Sequence, residues 1–511
     1  MVASKAASME GYCVTCLHPG IRKILALLIA LITKQAAGMS AIPDSSKLDE
    51  EPHHWAKVAS RDLAFVRDTI DAAHPGGLEK DDLPFHAWRE EGYHQAQALA
   101  ARASSERQAI AAVRFYAIGF QDGHLAIWSD AAHQQRRAWT GWLMQQRDGG
   151  YFVSARASRW PIALPPIGAR ILECDDRPVS SVIHEDIMPF TDRRVDLTNV
   201  RRKLVAHVTM QIPIEPLWRD TSPQSCVAEF PDGRRERIPL LWREDEEGIR
   251  QAFSVARRPQ GMQYLDDGTV WVDVTDFQLD KAGFERLEIL LAQLRALDTA
   301  KMVIVDTRGN GGGNSAIGDR ILRALLKQTM PPEPLQASAW WRVSQIAIDH
   351  LQGHADRYRA FQGETGEEVR WIDGILSRMR TAQKNGVDWA QNSFETEPDE
   401  ITNPEDTGAP FQGRLGLVTD ANCASACLDF ADAVLRIPGA IHLGEATSAD
   451  TNYLDVTQLR LPSGLMMCLP LKVWRGRARG SNEALIPQFA YDGDINDTVS
   501  LQKWVLDTMR K

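Results

Sequence analysis

Met302-Val-Ile-Val-Asp-Thr-Arg-Gly-Asn-Gly-Gly-Gly-Asn314 runs an apolar stretch straight into three consecutive glycines. An apolar run of this length bounded by glycine predicts a strand of a covered sheet. Glycine alone takes positive φ without steric cost and lets the backbone approach a ligand closely. Beyond the turn, Ile317, Ile321, Leu322 and Leu325 recur at helical spacing, so Ser315 to Lys327 predicts a helix. The glycines then stand at a helix N-terminus, where unpaired N–H groups and the macrodipole favour negative charge. A phosphate-binding loop would end in Gly-Lys-Ser/Thr, and Asn314-Ser315 stands there instead. A dinucleotide fingerprint needs a third glycine where Asn314 lies. A bare structural turn stays open, as does an oxyanion hole, which requires a nucleophile elsewhere.

The 511 residues around this segment have room for about three domains and a sizeable core. A hydrophobic fraction of 44% with 25% charged residues is ordinary for a soluble globular chain. The net charge of −10 and pI near 5.8 argue against nucleic acid as a partner, and no basic block or aromatic-basic stripe offsets them. At the N-terminus Arg22 and Lys23 precede the apolar stretch Ile24 to Ile32 and the small residues Ala36 to Ala41. That order is the order of a secretory signal, and nine apolar residues are too few for a stable span. A periplasmic or extracellular protein with no stable membrane span after cleavage is expected. Cys16 precedes the apolar core and so cannot be a lipoprotein cysteine. The mature region keeps Cys174, Cys226, Cys423, Cys427 and Cys468, an odd set whose pairing cannot be deduced. It has no CxxC or HExxH pattern, since His184-Glu185 lacks its second histidine, so no metal and no cofactor is expected.

The chain divides by texture. Leu63, Val66, Ile70 and Ala73 form one helical stripe, and an alanine-rich run from Tyr93 to Tyr116 follows. From Tyr151 to about Arg243 short apolar runs broken by Pro and Gly predict a β module. From Thr269 strands and helices alternate, the pattern of an α/β layer. A polar, helix-rich stretch interrupts it before Leu415 to Val418 resumes as another buried strand. Thr419 to Ala424 then turns into a helix with Cys427, Leu428, Ala431, Val434 and Leu435 on its apolar face. Ser425 falls in its first turn, either as a simple N-cap or as a reactive hydroxyl set among backbone N–H groups.

With these elements in place the chain resembles the S41 peptidases, the C-terminal processing or tail-specific proteases and their tricorn-like relatives. The resemblance rests on the order of Arg308-Gly-Asn-Gly-Gly-Gly313, Ser425-Ala-Cys427 in a strand-to-helix turn, Leu443-Gly-Glu-Ala-Thr447 and Leu461-Pro-Ser-Gly464. The family's Ser-Ala-Ser-Glu maps onto Ser425, Ala426, Cys427 and Leu428, which makes Ser425 the nucleophile, puts cysteine at the third place and leaves out the glutamate. The branch that uses a lysine base would carry it near Ser448-Ala-Asp-Thr-Asn-Tyr453, where none stands. The tricorn and chlamydial branch uses a histidine from an N-terminal Asp-Gly-His segment, and Gln121-Asp-Gly-His124 matches it. In that branch a glutamate near the C-terminal end of the domain orients the histidine. Glu483, 58 positions after Ser425, fits the role, with Asp450, Glu445 and Asp122 as rivals.

The resemblance implies a multidomain α/β architecture: a signal peptide over 1–41, an N-terminal helical domain with the His motif over 45–150, a PDZ-like β module over 151–245, a crotonase-like peptidase core over 250–328 and 413–511, and a helical insertion over 329–412. It implies hydrolysis of peptide bonds in exported proteins or peptides through Ser425, His124 and Glu483. N–H groups of Gly311 or Gly312 and of Ala426 would hold the oxyanion. The PDZ-like module, carried mainly by Pro166 to Val179, implies binding of extended peptide by strand addition. A catalytically inactive S41-fold binding protein is the alternative, and an esterase or a zymogen blocked by the insertion also stays open.

Overall fold

Every residue of Met302–Asp306 is buried, and in a computed structural model the segment is a strand inside a six-stranded sheet. The structure describes residues 53–252, 259–265, 268–297, 300–327, 337–364, 366–392 and 411–511. The signal-type segment over 1–41 lies outside them, as do parts of the stretch over 329–412. The sheet runs Gly261–Tyr264, Thr269–Asp273, Met302–Asp306, Arg414–Thr419, Ile441–Gly444 and Phe489–Ala490, parallel except at its first pair. A strand covered on both faces needs apolar residues on both, which is why its central strands read as unbroken hydrophobic runs. Val303 and Val305 face the helices Lys281–Arg295, Ser315–Leu326 and Ala426–Leu435, whereas Met302 and Ile304 face the helix Thr498–Arg510. Gly416 permits this last approach: a Cβ there would come within 2.7 Å of Ile304 and 3.3 Å of Met509.

A second sheet is organised by the long strand Met466–Arg475. Along one edge it pairs with Tyr453–Arg460, and the other edge is shared between Ala126–Trp128 and Ser338–Arg342, with Trp389–Gln391 beyond. The predicted stripe of Leu63, Val66, Ile70 and Ala73 is fully buried on the helix His54–Ala73. It shares one hydrophobic core with residues of the helices Gln345–Gln362 and Glu367–Lys384 and with Met467, Leu469 and Leu471. The described part of the interrupting segment therefore packs against the N-terminal helices.

The β module forms a six-stranded antiparallel sheet that begins at Trp142, ahead of the change of texture at Tyr151. The cause is the turn Asp148-Gly149, with φ of 48° and 71°, which ties Trp142–Arg147 to Gly150–Arg156 as a tight hairpin. A disulfide joins Cys174 and Cys226 where two neighbouring strands place them opposite each other. Residues Trp55–Lys511 form one compact unit. Among the described residues no helix is long and apolar enough to cross a membrane, and no group of three or more His, Cys, Asp or Glu could hold a metal ion.

Candidate active site

The strand Arg414–Thr419 ends in a turn that delivers Ser425 to the start of the helix Ala426–Leu435. Ser425 adopts φ 54° and ψ −126°, a conformation that L residues reach only under constraint. An N-cap serine would turn its hydroxyl onto the first N–H groups of the helix, and this one makes no such bond. Its Oγ lies 3.3 Å from Nε2 of His124 instead. A second disulfide, Cys423–Cys427, brackets the serine, and both sulfur-bearing residues are fully buried.

His124 reaches the site from a segment that leaves the helix Glu106–Ile118 and enters the strand Ala126–Trp128. Asp122 shapes the approach: its Oδ1 accepts the His124 backbone N–H at 2.9 Å and lies 3.8 Å from the ring Nδ1. That Nδ1 is buried and has no hydrogen-bond partner. Oδ2 of Asp122 lies 3.4 Å from Nε2 of the fully buried His74, whose Nδ1 accepts the Gly76 N–H at 3.0 Å. An Nδ1 that accepts leaves the ring proton on Nε2, aimed at the carboxylate. Burial alone would push the Asp122 carboxyl up, but the His74 hydrogen bond and the two nearby rings outweigh it and hold it below the usual carboxylate range. Asp450, also buried, goes the other way: desolvation pushes it up, against the opposing pull of His124 and Arg479.

The remaining carboxylates are placed differently. Glu483 is exposed, and its Oε2 accepts the Gly480 N–H at 2.8 Å. No hydrogen bond joins it to His124 among the described residues, although its neighbour Asn482 donates to the Gln121 carbonyl at 2.8 Å and so docks the loop on the histidine segment. Glu445 is engaged by Arg202 through two contacts of 2.6 and 3.0 Å.

The glycine turn packs directly on the turn that carries Ser425. A Cβ on Gly312 would come within 2.6 Å of the Ala424 carbonyl oxygen and 2.7 Å of the Ser425 Cβ, and its φ is 95°. Gly309 N–H donates to Asp420 Oδ2 at 3.1 Å, and the backbone N–H and the hydroxyl of Thr307 both donate to the Val418 carbonyl. Asn310 spans the turn, donating to Val274 O at 3.0 Å and accepting from the Gly312 N–H at 2.9 Å. Among the expected oxyanion donors, then, Gly312 N–H is turned back into its own loop. Those of Gly311 and Ala426 donate to nothing among the described residues.

Mature CPAF in its crystal structure aligns over 89% of this chain and 97% of its own at TM-score 0.59 and 13% identity. Its complex with lactacystin aligns over 89% and 99% at TM-score 0.60 and 12% identity. The chain shares the fold of mature CPAF. No family model and no curated protein sequence matches the chain.

Several residues at the site went unread in the sequence. Asp420 joins the two turns, Asn310 braces the glycine turn, and His74 backs Asp122. Asn310 had a visible signal, being the one residue with a polar side chain inside the glycine run. His74 had none, because its role comes from a contact across 48 positions.

Proposed function

We propose that the chain is a serine endopeptidase that cleaves protein or peptide substrates with Ser425 as nucleophile and His124 as its base. One observation carries this: a serine held at positive φ, released from helix capping, 3.3 Å from a histidine ring nitrogen. His124 takes the hydroxyl proton as Oγ attacks a peptide carbonyl and returns it to the leaving amine. The oxyanion develops at the helix N-terminus beside the N–H groups of Gly311 and Ala426, with Gly312 available once Asn310 releases it. Losing one such donor costs on the order of 100- to 1,000-fold in rate. The fold shared with CPAF supports the class, and the lactacystin complex of that protein supplies a probe.

The third member of the triad is the finer point. Sequence position assigns it to Glu483, whereas Asp122 is the carboxylate beside Nδ1 in this geometry. Asp122→Asn and Glu483→Gln separate the two readings: the true orienting group loses roughly 100-fold or more in kcat, and the other variant stays near wild type.

Ser425→Ala is the deciding experiment. The oxidised wild-type protein should degrade denatured casein, take up a fluorophosphonate and be blocked by lactacystin, and the alanine variant should do none of these while unfolding at the same temperature. A folded wild-type protein that ignores the fluorophosphonate would point to the inactive binding protein. We place the mature protein in the periplasm or outside the cell, supported by the signal-type order of residues 22–41 and by two disulfides. N-terminal sequencing of the exported fraction tests that, and an uncleaved cytosolic chain would end it. The module from Trp142 to Pro239 keeps its PDZ-like reading, supported by its antiparallel sheet. Titrating a labelled extended peptide into the Ser425→Ala protein tests it, and the absence of saturable binding would remove it.

A further inference from the structure

We propose that Cys423 and Cys427 are positioning residues for the reaction, and that their disulfide holds Ser425 in its attacking conformation. This rests on the peptidase reading of Ser425. The ring closed by the disulfide contains only Ala424, Ser425 and Ala426 between the two cysteines. Both ends of the ring are pinned: Cys423 N–H donates to Asp420 O at 3.1 Å, Ser448 N–H donates to Cys423 O at 3.0 Å, and Cys427 N–H donates to Ala424 O at 3.0 Å. The three residues inside are unlike their surroundings. The N–H groups of Ala424, Ser425 and Ala426 donate to no group among the described residues, and the Ser425 hydroxyl leaves the helix uncapped. A serine free to relax would regain a negative φ and use that hydroxyl as a cap, which withdraws it from His124. The covalent ring opposes this relaxation, beside a turn so close that a Cβ on Gly312 would lie 2.7 Å from the Ser425 Cβ.

The two disulfides of the chain differ in what they can supply. Cys174–Cys226 spans 52 residues and Cys423–Cys427 spans 4. Restriction of the unfolded chain grows with the loop closed, so the shorter bridge adds the least of this kind of stability. Its effect is local, and the residue at its centre is the nucleophile. A misplacement of about 1 Å at a reacting atom costs on the order of 100-fold in rate.

The test compares the wild-type chain with Cys423→Ser/Cys427→Ser and with Cys174→Ser/Cys226→Ser, reading the rate of fluorophosphonate uptake at Ser425, casein hydrolysis and the thermal transition. The first variant should lose roughly 100-fold in labelling rate and in kcat with KM within a few-fold of wild type and little change in thermal transition. The second should lose stability while its folded fraction labels normally. Where the first variant fails to fold, dithiothreitol on the wild-type protein replaces it. The dithiol breaks the S–S bond, leaving two protein thiols and the cyclic disulfide of the reagent, and alkylation with mass analysis identifies which bridge opened. Labelling should fall as the 423–427 bridge opens and return on reoxidation. Equal labelling with this bridge intact and open overturns the inference alone. No labelling of the oxidised wild-type protein overturns the peptidase reading, and the inference with it.

Discussion

Two strand-to-helix turns lie side by side in the parallel sheet, and they solve the same backbone problem by opposite means. Met302–Asp306 and Arg414–Thr419 are register partners, and each leads through a tight turn into a helix. In the first turn the positive φ values fall on Gly309, Gly312 and Gly313, where no side chain is needed. In the second the positive φ falls on Ser425 at 54°, a residue whose hydroxyl lies 3.3 Å from His124. A site that only offers N–H groups can give up side chains. A site that offers a hydroxyl must constrain the chain in another way, here with a disulfide, hydrogen bonds from neighbouring loops and the packing of the first turn against the second.

Substitutions that exchange these solutions should have the largest effects. Gly312→Ala brings a methyl within 2.6 Å of the Ala424 carbonyl at a φ of 95°, and should lower labelling of Ser425 roughly 100-fold and destabilise the fold by about 1–3 kcal/mol. A calorimetric scan with probe kinetics reads both, and wild-type kinetics would break the claim that the turns depend on each other. Asp122→Asn sharpens the same comparison through acid stability. The folded Asp122 carboxyl is held low, so it contributes stability above its unfolded value that is lost as pH falls below about 4. The asparagine variant should be less stable than wild type at neutral pH, and the gap should close as pH falls through that window.

Asp450→Asn should act with the opposite sign and a smaller size. The Asp450 carboxyl is pushed up by burial, so folding favours its protonated form and stability declines as pH rises through the window above the unfolded value. The variant should gain a little thermal stability at neutral pH, with the gain vanishing toward pH 4. A loss at neutral pH would mean the charge is used in the fold. Gly311→Ala should change least, within about two-fold in labelling rate, because nothing lies within 4 Å of a Cβ there and its φ is not positive. A large loss at Gly311 would show that substrate, rather than the neighbouring turn, fills that space.

What could be read in the chain follows from how local each cause is. The unbroken apolar run Met302 to Val305 forecast a strand covered on both faces, and the Ile317, Ile321, Leu322 and Leu325 spacing forecast the helix that covers one of them. Ser425 and His124 were legible from short motifs, and the structure sets them 3.3 Å apart. Orientation was not legible. Glu483 had the right position in sequence, but the Gly480 N–H three residues away claims its carboxylate in this geometry. Asp122 and His74 acquire their relation only through tertiary packing. The hairpin at Asp148-Gly149 carried a strong local signal in its Asp-Gly turn. The pairing of Cys423 with Cys427 rather than with Cys468 depends on which side chains the fold buries together.

The separation of His124 from Ser425, 301 positions along the chain, has a consequence in time. The strand just after the histidine finds its partner only in Met466 to Cys468, so on the ribosome His124 waits for almost the whole chain before it is seated. Contacts this distant are among the last to form. On the proposed reading, a nascent chain therefore holds the base without its nucleophile, and the pair is assembled only once the chain beyond Cys468 has been made and folded.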